Sequence, residues 1–257
     1  MRQSRTGKTS GAAQCVAPFL LRKGFWDKGS AMRAALVVVG AAMLALAGGH
    51  GAMADSRVAD AKGPALIAAA ERGDVPAVTR LIGAGVALDT RDERGRTALL
   101  VATQVNQIGV ALVLVSAGAD VNAKDNIEDS PFLYAGAEGR NEILRILIEA
   151  DADLASTNRY GGTALIPAAH HGHVETVKIL LATPINIDHV NRLGWTALLE
   201  TVILGDGGPV HTEILRLLIE AGANVNLADR EGVTPLAHAR KRNYSAMIEA
   251  LERAGAR

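Results

Sequence analysis

Apolar and hydroxyl-bearing positions recur every 33 residues through most of this chain, with one longer step of 38 residues near the end. One apolar column consists of Leu66, Leu99, Phe132, Leu165, Leu198 and Leu236. A second apolar column consists of Leu81, Leu114, Leu147, Leu180, Leu218 and Leu251. A third column holds Thr97, Ser130, Thr163, Thr196 and Thr234, with Pro64 in the first copy. Three columns at one period predict stacked supersecondary units, none of which can bury its apolar face alone.

Each unit is predicted to contain a turn, two antiparallel helices and a loop. The hydroxyl column precedes an apolar run and is typical of a helix N-cap. A small residue follows five positions later and allows neighbouring helices to approach closely; these residues are Ala69, Ala102, Ala135, Ala168 and Ala239, with Thr201 as the exception. Glycines such as Gly85, Gly118 and Gly222 stand where the second helix is predicted to end in the left-handed conformation.

These motifs resemble the ankyrin repeat. Thr234-Pro235-Leu236 followed by Ala239, the pair Gly172-His173, and the run from Gly118 to Asn122 (GADVN) carry the resemblance. It implies an all-α solenoid of about six helix-turn-helix units with β-turn or hairpin fingers. The expected repeats are 63–91, 92–124, 125–157, 158–190, 191–228 and 229–257.

Three departures from the repeat pattern predict local differences. Pro184 occupies a glycine position and cannot adopt the left-handed conformation, so the second helix of the fourth repeat must end differently. Glu128 replaces a turn glycine, which predicts a distorted turn. Residues 204–210 carry five extra residues rich in glycine and predict a flexible loop, which either lies at a binding edge or is a neutral insertion.

The N-terminal segment has the three regions of a secretory signal peptide. Arg33 is followed by a 14-residue apolar run from Ala34 to Ala47 and by the cleavage motif Ala52-Met53-Ala54. We therefore expect a signal peptide at 32–54 and a short polar linker at 55–62. The alternatives are an uncleaved anchor and an apolar helix docked on the first repeat. Residues 1–31 fit no fold and are expected to be a non-native extension, with translation starting at Met32.

The balance of 27 basic and 27 acidic residues hides an asymmetry. Residues 1–54 hold seven Lys or Arg and one acid, so residues 55–257 hold 20 basic and 26 acidic residues, a net charge of −6. An acidic body argues against nucleic-acid binding. Because the only cysteine is Cys15, the repeats can form no disulfide, thiolate metal site or catalytic cysteine.

Of the seven histidines, only His170, His171 and His173 form a cluster. Three imidazoles are a partial metal site, and a metal-binding or hydrolytic protein centred on them is the alternative function. Against it, His173 is the ordinary Gly-His histidine of the resemblance, and no nucleophile-elbow motif is found in the sequence. We expect no enzyme activity, no cofactor and no metal.

The resemblance implies instead a concave surface, formed by the fingers and the first helices, that binds another protein. Carried onto this sequence, the partner-binding residues are Arg94, Arg96, Ile127, Arg159, Tyr160, Arg192, Leu193, Trp195 and Arg230. Tyrosine, tryptophan and arginine dominate interface hot spots, although Trp195 could simply cover Leu193 or Tyr160. We expect a monomeric bacterial protein, periplasmic or secreted, that does not contact the membrane after signal cleavage.

Overall fold

The computed structural model describes residues 52–257, with side chains from Lys62 onward. Twelve helices and no strand are found in this part of the chain. They are α1 (Ala52–Glu71), α2 (Val75–Gly83), α3 (Ala98–Gln104), α4 (Ile108–Ser116), α5 (Pro131–Ala137), α6 (Asn141–Glu149), α7 (Leu165–His170), α8 (Val174–Leu181), α9 (Ala197–Ile203), α10 (Pro209–Glu220), α11 (Pro235–Lys241) and α12 (Ser245–Arg253). The predicted all-α array of six helix pairs is confirmed. The extension at 1–31 and most of the predicted signal peptide lie outside the described residues.

The helices form two rows. Each odd-numbered helix packs against the next odd-numbered helix, and each even-numbered helix from α2 to α12 packs against the next even-numbered one. The two helices of each repeat also contact each other. This is the arrangement of a solenoid, in which a repeat contacts mainly its neighbours.

The apolar columns form the core between the rows. Every member of the column from Leu66 to Leu236 is buried, and so is every member of the second column from Leu114 onward. The small residues from Ala69 to Ala239 are also buried, and Thr201 satisfies its hydroxyl by donating to the carbonyl of Ala197 at 2.8 Å. The sequence therefore identified the core correctly.

Four of the five predicted N-caps form, and the fifth does not. The hydroxyl oxygens of Thr97, Ser130 and Thr196 each accept the backbone N–H three residues ahead, at 3.2 Å, and Thr234 does the same at 3.3 Å. The hydroxyl of Thr163 is buried and has no hydrogen-bond partner among the described residues.

Pro167 explains the missing cap at Thr163. In the fifth repeat, the N–H of Glu200 donates to the carbonyl of Thr196, four residues earlier. Pro167 stands at the equivalent position and has no N–H, so the N–H of Ile166 donates to the carbonyl of Thr163 instead, at 3.1 Å. That N–H is therefore not available to the hydroxyl, and the prediction of a cap at Thr163 is wrong.

The fourth repeat ends its second helix differently, as Pro184 predicts. In the second and fifth repeats, which carry Gly118 and Gly222, the residue after the glycine donates its N–H back to the helix, at 3.0 Å and 2.9 Å. In the fourth repeat the hydroxyl of Thr183 donates to the carbonyl of Leu180 at 2.6 Å. This bond adds to the one from the Thr183 backbone N–H at 3.0 Å, which Ala117 also makes in the second repeat.

Two other expectations need correction. The turn at Glu128 is not distorted, because Glu128 itself adopts the left-handed conformation, with φ of 66°, as Gly95 and Gly161 do in the neighbouring turns.

The first helix is longer than expected. α1 begins at Ala52 and includes residues 55–62, which we expected to be a linker, and Pro64 lies inside the helix. No helix within residues 52–257 is long and apolar enough to cross a membrane.

Two matched substitutions compare the hydroxyl of Thr163, which makes no cap, with that of Thr196, which does. Thr196→Val removes a working cap and is expected to lower the free energy of unfolding by about 1 kcal/mol. Thr163→Val removes a buried hydroxyl that makes no hydrogen bond, so we expect no loss of stability or a gain of about 1 kcal/mol. Urea unfolding followed by circular dichroism measures both. Equal losses in the two variants would show that Thr163 caps its helix after all.

Candidate protein-binding surface

Five short loops precede the odd-numbered helices from α3 to α11, and we call them fingers: 92–96, 125–129, 158–162, 191–195 and 229–233. Each begins with Asp or Asn, whose Oδ1 accepts the backbone N–H groups two and four residues ahead. In the 191–195 finger, Asn191 accepts from Leu193 at 2.9 Å and from Trp195 at 3.0 Å. The same two contacts occur in the other four fingers. One side chain therefore fixes the shape of each finger.

Neighbouring fingers are joined to one another. The N–H of Arg192 donates to the carbonyl of Tyr160 at 2.9 Å, and the Arg192 guanidinium donates to the carbonyl of Arg159 at 2.7 Å. The side-chain stem of Arg192 crosses Gly161, where a Cβ atom would lie 2.8 Å from Arg192 Cγ. Glycine leaves room for this approach and adopts its φ of 71° without the strain that a side chain would add.

The third position of three successive fingers carries an exposed apolar side chain. Ile127 is 52% exposed, Tyr160 is 54% exposed and Leu193 is 48% exposed. We call these three residues the apolar row. Charged residues stand at the same position in the flanking fingers, namely Arg94 and Glu231, and both are exposed.

The apolar row borders a groove of about 470 Å³. Its other wall and its floor come from the odd-numbered helices α5, α7 and α9, through Tyr134, Pro167 and Glu200. Asp129 and Glu138 add negative charge to the groove, and burial raises the pKa of Asp129 despite its attraction to Arg159. The groove therefore joins an apolar rim to a polar floor.

The predicted arginines are exposed for the most part, yet most of them also serve the stack. Arg159 lies 3.5 Å from the carboxylate of Asp129 and 4.9 Å from the centre of the Tyr160 ring. Arg192 lies 3.9 Å from the carboxylate of Glu128 in addition to its contacts with the preceding finger. These exposed contacts balance much of the positive charge along the rim.

The remaining predicted residues near the fingers include Arg96, Arg230 and Trp195. Arg96 is half-buried, pairs with Asp92 at 2.8 Å and donates to Gln104 at 3.0 Å, so it stays within its own repeat. The stem of Arg230 crosses Gly194, as Arg192 crosses Gly161. Trp195 is half-buried and is not part of the groove lining.

Comparisons with known proteins agree with this geometry. A three-copy ankyrin repeat model matches residues 32–125, a many-copy ankyrin model matches 132–181 and 167–200, and a single-repeat model matches 193–230. An ankyrin repeat domain from Acinetobacter baumannii is 56% identical, with a TM-score of 0.73 over 75% of this chain and 98% of that one. The ankyrin repeat protein EF0377 is 39% identical, with a TM-score of 0.72 over 74% of this chain and 97% of that one.

This chain belongs to the ankyrin repeat family. A shorter similarity, 43% identity over 58 residues, links it to the ankyrin repeat protein YahD of Escherichia coli K12, covering 23% of this chain and 29% of YahD. Ankyrin repeats are protein-interaction scaffolds and are generally not catalytic, which agrees with the coarse function predicted from the sequence.

Glu200 is the groove residue that the sequence analysis missed. It lies in α9 and is only 7% exposed. Its Oε1 accepts from Asn191 Nδ2 at 2.8 Å, and its Oε2 lies 4.0 Å from His170 Nδ1. Burial raises the pKa of Glu200 to about 6, although the contact with Asn191 acts in the opposite direction. The available signal was an acid within the apolar run ALLETV.

The three histidines do not converge. His171 Nδ1 lies 2.7 Å from the carbonyl oxygen of Ala137, and the ring centres of His170 and His173 lie 4.8 Å and 5.8 Å from that of His171. Burial lowers the pKa of both His170 and His173. Among residues 52–257 no group of three His, Cys, Asp or Glu side chains is arranged to hold a metal ion. The arrangement of these residues therefore does not support the metal-binding alternative at this cluster.

The insertion between α9 and α10 makes hydrogen bonds to neighbouring elements. Tyr244 Oη donates to the carbonyl of Gly205 at 3.0 Å, which joins the insertion to the last ankyrin repeat. His211, next to the insertion, lies 2.8 Å from the carboxylate of Asp206 and 2.9 Å from the carbonyl oxygen of His170. Leu204 contributes to the groove lining.

The buried carboxylate predicts a pH-dependent effect of Glu200→Gln. Because the folded state raises the pKa of Glu200, its contribution to stability is present below about pH 4.5 and is lost as the pH rises through about 6. The amide keeps an acceptor for Asn191 and carries no charge. We therefore expect the variant to be more stable than the parent by about 2 kcal/mol at pH 7.5 and equally stable at pH 4.5.

Urea unfolding at both pH values measures this difference, and Glu220→Gln, which changes an exposed acid of α10, is the control. A stability gain that is the same at both pH values would contradict the assignment of a buried, charged Glu200.

Proposed function

We propose that this protein is a non-catalytic scaffold that binds a partner protein along the apolar row and the groove beneath it. The observation that carries the proposal is the alignment of Ile127, Tyr160 and Leu193 at one finger position, each about half exposed. Exposed apolar side chains scattered singly are ordinary, but a contiguous set with a polar surround is typical of an interaction site.

The scaffold supports such a use because hydrogen bonds fix the backbone of the row. Every finger is held by its Asp or Asn, and the 158–162 and 191–195 fingers are joined through Arg192. A backbone that is already hydrogen-bonded loses little freedom on binding, which favours affinity. Tyr160 supplies an aromatic anchor with a hydroxyl group and matches the residue types that dominate interface hot spots.

Charge at the rim supplies orientation. Arg94, Arg159, Arg192 and Arg230 are exposed along the edge of the fingers and favour acidic groups on the partner. Their pairing with Asp129 and Glu128 reduces the net field, so the arginines act on specificity and association rate more than on affinity.

We propose that the protein is exported and acts as a monomer in the bacterial periplasm or outside the cell. The support is the signal pattern at 32–54 in the sequence. Cleavage after Ala54 removes three residues of α1 and leaves the ankyrin repeats intact. The five extra residues of the 204–210 segment, which reach the groove through Leu204, are proposed to form its far edge.

The apolar row is tested by co-purification. The full chain serves as bait in the extract of the producing bacterium, beside a variant carrying Tyr160→Ala and Leu193→Ala. We expect at least about a tenfold loss of the bound protein, since the two side chains are placed as anchors. A control bait carries Val105→Ala, just after α3, and Leu112→Ala, in α4. These two side chains are exposed to a degree similar to that of Tyr160 and Leu193, and we expect the control bait to retain the partner protein. Equal capture by all three baits would show that the partner protein does not bind at this surface.

Export is tested by the N-terminus of the mature protein. We expect the periplasmic or secreted form to begin at Asp55, because cleavage follows the last small residue of the motif. Substituting Ala54→Arg should block processing and leave the longer form. A mature protein that retains residues 32–54 and stays in the cytosol would contradict the proposed localisation.

A further inference from the structure

The acid at position 200 is not required by the fold. The equivalent position in the preceding repeats is occupied by Val101, Tyr134 and Pro167, none of which carries a charge. A buried carboxylate lowers stability unless a cation or sufficient hydrogen bonds compensate it. The contacts of Glu200 therefore indicate whether the protein provides that compensation itself.

The sixth repeat shows a compensated version of the same arrangement. There His238 occupies the position of Glu200, and its Nε2 lies 2.7 Å from the carboxylate of Asp229, the first residue of the finger. In the fifth repeat the finger residue is Asn191, which is neutral. Glu200 and Asn191 still form a hydrogen bond between the helix and the finger. The finger, however, offers no positive charge to the Glu200 carboxylate.

The amide of Asn191 leaves one carboxylate oxygen open to the groove. Asn191 is 5% exposed, and its Oδ1 accepts from two backbone N–H groups, so its Nδ2 must point toward Glu200. Glu200 Oε1 is thereby occupied. Glu200 Oε2 accepts no hydrogen bond from the residues the structure describes, and His170 Nδ1, at 4.0 Å, is beyond hydrogen-bond distance.

We infer that the groove binds a lysine or arginine side chain of the partner protein, whose cationic group donates to Glu200 Oε2. This inference rests on the proposed function, because it assigns the chemistry of the partner at the same groove. Asp129 and Glu138 favour a cation in the groove, and Arg159, which also lines it and pairs with Asp129, offsets one of these two negative charges. The apolar rim at Tyr160 and Leu193 suits the aliphatic stem of a lysine or arginine, which packs on apolar surface while its charged end makes polar contacts.

The groups that face Glu200 determine how this binding depends on pH. They are His170 and His171 on α7 and Asn191 in the finger, with the charged residues Asp129, Glu138 and Arg159 in the remaining groove lining. Protonation of Glu200 removes the acceptor charge, and protonation of His170 adds a repelling charge. The first change weakens the binding of a cation as the pH falls through about 6, the raised pKa of Glu200. The second acts in the same direction at low pH, because burial lowers the pKa of His170.

The test uses four pools of nine-residue peptides that differ only at the central residue: lysine, arginine, norleucine or glutamate. The other positions are randomised without basic residues. Binding of each labelled pool to the full chain is measured by fluorescence polarisation. We expect the lysine and arginine pools to bind about tenfold more tightly than the norleucine pool at pH 7.5, since an ion pair in a partly buried site is a strong hydrogen bond. The preference should fall below about twofold at pH 5.

Three variants make the result specific. Glu200→Gln should abolish the preference of the lysine and arginine pools over the norleucine pool, and Glu220→Gln on the exposed side of α10 should alter nothing. His170→Ala should retain the preference; its loss there would mean that Glu200 serves His170 and would overturn the inference.

The failure of this inference is distinguishable from that of the proposed function. Equal binding of the lysine and norleucine pools, with both weakened by Leu193→Ala, would overturn the inference and support the proposed groove. Binding of no pool, or binding that Leu193→Ala does not change, would overturn both.

Discussion

Each helix pair of this ankyrin protein can bury its apolar face only against the pairs beside it, and the rest of the structure depends on that constraint. The contact requires small residues such as Ala102 and Ala135 where neighbouring helices approach, and leucines between the two rows. Because every repeat meets this requirement with equivalent residues, and the five extra residues of the fifth repeat lie between its helices, the repeats stack in one register. Equivalent finger positions then lie side by side, and three separate residues become one apolar row.

The same constraint separates structural positions from functional ones. The stack determines the core columns and the caps, but it does not determine the third finger position or the groove-facing position in the odd-numbered helices. The first of these carries Arg94, Ile127 and Tyr160 in successive repeats, and the second carries Tyr134 and Glu200. Variation at these positions leaves the fold unchanged and alters the chemistry of the surface.

Periodicity was sufficient to predict the fold, because the determinants of a repeat are local and recur in every copy. It correctly identified the buried columns, the six helix pairs and the altered helix end at Pro184. It failed where a single repeat departs through a backbone effect. The effect of Pro167 on the cap at Thr163 requires knowledge of which N–H donates to which carbonyl, and Glu128 retains the turn because Asp125 holds the backbone through Ile127 and Asp129. Glu200 was missed for a different reason: its significance lies in its contact with the neutral Asn191, nine residues earlier, and that contact is not visible in the sequence.

The central claim, that the apolar row is the face a partner protein covers, is tested most directly by photo-crosslinking in the producing cell. p-Benzoylphenylalanine replaces Leu193 in one strain and Leu112, exposed on α4, in another. The account predicts that irradiation joins the chain to a second protein from position 193 and not from position 112. Crosslinks from position 112 alone, or equal crosslinks from both positions, would contradict it.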